Sequence, residues 1–129
     1  MTIDDAKSEF SGACKDWLAD TVKQPLSETD TRCKAIDYVL LDVLGWSESN
    51  IKREEKLVET TKYIDYVLST VRPMLVVEAK RSDFLFNLPS IRNGRRFKVG
   101  GALSEDKNLL AAILQAQIYA ISKGILFAV

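Results

Sequence analysis

Met74, Leu75, Val76 and Val77 run without interruption into Glu78, Ala79 and Lys80. Four consecutive apolar residues read as a strand buried on both faces, which needs neighbouring strands and covering helices. Period-two geometry places Glu78 and Lys80 on one face of that strand and turns Ala79 away. Charges on such a strand are costly unless they pair or bind something. A fold built around this run is therefore a sheet with helices packed on it, carrying ionisable groups at one strand end.

The pentapeptide Ile-Asp-Tyr-Val-Leu occurs twice, at 36–40 and 64–68. Its two contexts differ. The first copy lies in a 3.6-residue rhythm through Ile36, Val39, Leu40, Val43 and Leu44, opened by Ser27 with Asp30 and closed by Gly45. These features predict a helix. The second copy is followed by the turn-like stretch 69–73 and then the apolar run, which predicts a two-stranded hairpin. Local propensity cannot decide a pentapeptide of this kind, so tertiary context must.

The remaining elements follow from pattern. Ile3, Ala6, Phe10, Cys14, Trp17 and Leu18 share one helical face, and Thr2 with Asp5 forms a capping box before them. Residues 51–57 predict an earlier strand. Residues 84–104 lack a period and contain Pro89, Gly94, Gly100 and Gly101, so a long loop with at most a short hairpin is expected. Ser104 is expected to cap a helix carrying Leu109, Leu110, Ile113, Ala116, Ala120 and Ile121, which Gly124 ends. Residues 125–129 read as a buried strand that stops abruptly, the pattern expected of the front part of a longer protein or of a trimmed fragment. The order is helix, helix, three strands, helix, strand. It predicts a single α/β domain of 129 residues, a mixed sheet flanked by helices, with an extra helix at the N-terminus.

Composition removes several chemistries. The chain has no histidine, so a zinc site or a His-based triad is excluded. Cys14 and Cys33, the only cysteines, read as reduced core residues. Catalysis would have to run on carboxylates, lysines and hydroxyls. No apolar run is long enough to span a membrane, and the charged first turns do not form a signal peptide, so a cytoplasmic protein is expected. Net charge is zero, but residues 91–98 carry Arg92, Arg95, Arg96 and Lys98 without an acid. This stretch is either a solvated loop or a surface that holds a nucleic-acid backbone.

Asp65 lies on the strand preceding the apolar run, where antiparallel pairing would bring it beside Glu78. Two carboxylates together suit a divalent cation with oxygen ligands. Equally, Glu78 and Lys80 could form an ordinary surface ion pair, with Asp65 a solvated edge residue.

The segment Val76-Val77-Glu78-Ala79-Lys80-Arg81, preceded by Tyr63-Ile64-Asp65-Tyr66, resembles the PD-(D/E)XK nuclease superfamily. It is most similar to the N-terminal nuclease domain of type I restriction enzyme restriction subunits and related defence-associated nucleases. The resemblance runs over roughly residues 28 to 129 and includes Glu28 and Arg32, the Leu44-Gly45-Trp46 helix end, and the Gln115, Tyr119 pair at helical spacing. Ile64 stands where the superfamily's name has proline.

The resemblance implies a restriction-endonuclease-like core and a metal-dependent endonuclease that hydrolyses DNA phosphodiester bonds in restriction or antiviral defence. It implies Mg2+, with Mn2+ as a substitute, held by Asp65, Glu78 and the carbonyl of Ala79. Lys80 would act on the attacking water and on developing charge. Glu28 would reach the same cluster, and Gln115 would position phosphate or Lys80, although core packing explains Gln115 and Tyr119 equally well. DNA is the implied substrate, and an attached or associated ATPase or sensor module the implied partner. The alternative is a catalytically silent nuclease-like module for nucleic-acid binding or assembly.

Overall fold

A computed structural model of the chain describes residues 2–58, 60–88 and 96–129, with backbone alone over 20–23. The fold is α/β, with a four-stranded mixed sheet and helices in the expected order. The chain divides into two compact units, Met1–Ile51 with Ala79–Asp83, and Lys52–Glu78 with Phe84–Val129. Among the described residues no helix is long and apolar enough to cross a membrane.

The first unit is helical. Helix α1 (Ile3–Lys23) opens with a reciprocal cap: Thr2 N–H donates to Asp5 Oδ2 at 2.8 Å and Asp5 N–H donates to Thr2 Oγ1 at 3.2 Å. Helix α2 (Glu28–Thr31) starts at Ser27, whose Oγ accepts the Asp30 N–H at 3.1 Å. It continues through two π-helical stretches, Arg32–Ile36 and Val39–Val43, and the whole run occupies 28–43. Gly45 then takes a positive φ of 71°, open to glycine without a Cβ penalty, and Trp46 N–H reaches back to the Leu40 carbonyl at 2.9 Å. Nothing in the sequence announces the π-helical winding.

Helix α1 packs on the 39–43 stretch. Trp17 meets Tyr38 edge-on, with ring centres 5.8 Å apart, and Tyr38 Oη donates to Glu9 at 2.7 Å. The apolar face expected for α1 is only partly covered. Ile3, Phe10 and Leu18 are exposed, because one helix resting on another buries a narrow stripe. Cys14 is half-buried and Cys33 exposed, so neither cysteine is the core residue expected.

The second unit contains the sheet, in the order β1 (Ile51–Lys56, whose first residue belongs to the other unit), β2 (Tyr63–Ser69), β3 (Pro73–Val77) and β4 (Phe127–Ala128). Strand β2 pairs antiparallel with β3, matching Tyr66 to Val77, Val67 to Val76 and Leu68 to Leu75. Strand β4 adds parallel to β3. Parallel neighbours need a crossover, and α3 (Lys107–Ser122) supplies its helix. It lies against β3 and β4. Leu57, Ile64, Val67, Val76, Tyr119, Ala120 and Ile125 form the buried cluster.

Two expectations fail at the ends of α3 and β4. The helix is capped by Asp106, whose Oδ1 accepts the Leu109 N–H at 2.8 Å, while Ser104 lies in a preceding 3-10 turn. A carboxylate accepts more strongly than a hydroxyl and complements the positive helix end. Of the run 125–129 only Ile125 is buried; Phe127 on the last strand of the sheet and Val129 after it lie exposed. No strand forms among the described residues of 84–104.

Candidate active site

Strand β2 is buried over five successive residues, Ile64 to Leu68. Asp65 is the sole charged residue in the buried set of the described residues, at 9% exposure. The β2–β3 register, carried one residue beyond Tyr66 and Val77, sets Asp65 opposite Glu78. Residues opposite one another in an antiparallel pair point to the same face, with Cβ atoms about 5 Å apart. Glu78 is half-buried and its Oε2 oxygen is closed to solvent. The Glu78 N–H donates to the Val129 carbonyl at 2.8 Å, which ties this end of the hairpin to β4.

Alternation along the strands puts Asp65 with Val67, and Glu78 with Val76. Val67 and Val76 belong to the same buried cluster as Tyr119 and Ala120 of α3. Helix α3 joins two parallel strands and therefore runs against them. Moving from Tyr119 back to Gln115 covers about 6 Å, and moving from Val76 on to Glu78 covers about 6.6 Å in the same direction. Gln115 lies one turn before Tyr119 on α3. Its Nε2 donates to Tyr119 Oη at 3.0 Å, a bond that satisfies a buried phenol and fixes the amide.

Ala79, Lys80 and Glu28 belong to the first unit. Strand β3 ends at Val77, so both Glu78 and Lys80 follow the strand expected to carry them. Lys80 is half-buried in the 79–83 segment, after the fully buried Ala79. That segment is fastened to the start of α2: Leu26 N–H donates to Ser82 Oγ at 2.7 Å, and Ser82 N–H donates to Leu26 O at 3.3 Å. Glu28, the first residue of α2, is exposed. Arg81 is raised above its ordinary value by its hydrogen bond to Asp83, with the Asp83 and Glu28 charges adding. The Arg81–Asp83 pair went unread in the sequence, where opposite charges two residues apart were the available signal.

Arg92 and Arg95 lie outside the described residues. Arg96 and Lys98 are exposed. Among the described residues no group of three or more His, Cys, Asp or Glu side chains is arranged to hold a metal ion. Mg2+ does not need one: it keeps several waters and binds through one or two carboxylates with substrate phosphate. Asp65 and Glu78 fit that requirement.

The chain matches no family model, no curated protein and no solved structure. Chemistry therefore has to be argued from the site itself. The strand register sets two acidic groups opposite one another, in a chain without histidine. This arrangement suits binding of a hard cation and polarisation of an oxyanion.

Proposed function

We propose that this protein is a magnesium-dependent endonuclease with a restriction-endonuclease-like core, acting on DNA in restriction or antiviral defence. The observation that carries the reading is the register that sets the buried Asp65 opposite Glu78. A carboxylate this buried, facing a second one, is costly unless a cation or a compensating network accompanies it.

In this reading Asp65, Glu78 and the Ala79 carbonyl hold Mg2+, or Mn2+ in its place. The ion supplies Lewis-acid polarisation of the phosphate and a more acidic bound water. Lys80, two residues beyond Glu78, would orient the attacking water and offset charge developing on phosphate oxygens. Gln115, held by Tyr119, positions phosphate or the lysine, and the family resemblance gives Glu28 a part in the same chemistry. The exposed Arg96 and Lys98, with Arg92 and Arg95, hold the DNA backbone. An attached or associated ATPase or sensor module would govern when cleavage occurs.

Nicking of supercoiled plasmid tests the proposal. Cleavage should need Mg2+, stop in EDTA, and vanish in Lys80→Ala with the far-UV spectrum unchanged. DNA binding without cleavage under any divalent metal would instead identify a catalytically silent module. Wild-type cleavage by a folded Lys80→Ala protein would remove the lysine from the mechanism.

A further inference from the structure

Arg81 follows Lys80 directly and presents its guanidinium at the surface. Its Nε donates to Asp83 Oδ1 at 2.9 Å, and Nη2 donates to the other oxygen, Oδ2. Both side chains are open to solvent, at 61% and 40% exposure. The backbone beneath them is held, since Ser82 bonds Leu26 through both its N–H and its hydroxyl. Exposed ion pairs contribute little to stability, so this one explains poorly as a fold device. A planar guanidinium fork binds carboxylate and phosphate in the same two-point geometry. Asp83 fills the two donor positions of Arg81 that could also meet a phosphate.

We propose that Arg81 binds a backbone phosphate of the nucleic acid, and that Asp83 is an internal competitor which fills its fork until the nucleic acid displaces it. The proposal rests on the nuclease reading and adds a phosphate site with its own restraint. Displacement exchanges one two-point pair for another, so binding is retained while bare Arg81 is never presented to stray anions. Glu28 contributes a second negative charge near the guanidinium and supports the same restraint.

The test is fluorescence anisotropy with a duplex oligonucleotide in EDTA, where cleavage cannot occur, over a series of salt concentrations. Arg81→Ala should weaken binding about tenfold and lower the slope of log affinity against log salt by about 0.9. Arg81→Lys should keep the slope but recover only part of the affinity, because the fork is lost. Asp83→Asn should tighten binding, by about two- to fivefold given how weak exposed pairs are. Inorganic phosphate at millimolar concentration should compete more effectively in Asp83→Asn than in wild type. If Arg81→Ala matches wild type in affinity and slope, or Asp83→Asn weakens binding, the pair is a surface ion pair and this proposal alone falls. If wild type binds no duplex at all, the nuclease reading falls with it.

Discussion

Lys123→Met isolates an ion pair that joins β1 to the end of α3. Lys123 Nζ lies 3.0 Å from Glu55 Oε1, with the two side chains 22% and 21% exposed, and Lys52 stands 3.4 Å from the same oxygen. Methionine keeps the aliphatic stem and removes the ammonium. Fully exposed pairs contribute about 0–1 kcal/mol, and breaking a fully buried pair costs about 3–5 kcal/mol. A pair one-fifth exposed falls between, and the remaining Lys52 softens the loss to about 1–1.5 kcal/mol. For a chain of this length that lowers the melting temperature by roughly 3–6 °C.

The pH dependence sets the sign of the same effect. Partial burial works to raise the Glu55 carboxyl, but the hydrogen bond and charge of Lys123, with Lys52 adding to both, outweigh it and hold the group below its ordinary value. A depressed carboxylate stabilises the fold above its unfolded pKa, and that contribution is lost as pH falls through the folded one. The gap between wild type and Lys123→Met in urea denaturation should therefore be full at about pH 7 and close towards about pH 3. A cycle with Glu55→Gln should recover a coupling of about 1 kcal/mol. A gap of the same size at both pH values would refute the electrostatic reasoning and assign the loss to packing.

Asp65→Asn should lose most of the thermal stabilisation that Mg2+ gives wild type. That rise should be about 5 °C at a tenfold excess over the dissociation constant, and equal rises in both proteins would remove Asp65 from the metal site. Ser27→Ala removes the cap of α2 and should cost about 1 kcal/mol by chemical denaturation, with DNA cleavage otherwise intact. Arg96→Ala with Lys98→Ala should weaken duplex binding for all sequences alike, reducing the salt slope by about 0.9 for each phosphate left without its cation. An unchanged slope would make 96–98 a solvated loop.

The two copies of Ile-Asp-Tyr-Val-Leu show what was legible and why. At 36–40 the peptide is helical and at 64–68 it is a strand, as their flanks predicted: Ser27 and Gly45 bound one, and a hairpin turn with an apolar run follows the other. Caps, turns and runs are local signals, and they were read correctly at Thr2, Ser27, Gly45 and Gly124. Competition between neighbours was not legible, as at Ser104 against Asp106, where the choice depended on which oxygen met the Leu109 N–H. Nor was the point at which a strand releases its last residues, so Glu78 and Lys80 were assigned to β3, which ends at Val77. For the candidate site, the hairpin itself was legible, and its register ends with Tyr66 opposite Val77, one residue short of Asp65 and Glu78. The Arg81–Asp83 pair was not legible, because side-chain pairing within an irregular segment has no period to read.

The π-helical stretches of 28–43 have a consequence for chain length. A hydrogen bond from residue i to i+5 encloses one residue more than an α-turn does, so each stretch holds a surplus residue within an otherwise continuous helix. Removing a residue from an α-helix rotates one half against the other by about 100° and draws it in by about 1.5 Å. Removing the exposed Cys33 from Arg32–Ile36 would instead let that stretch rewind as α-helix with both flanks still in phase. The helix bearing Glu28 should therefore tolerate a single-residue deletion that α3, shortened at the exposed Gln117, would not survive.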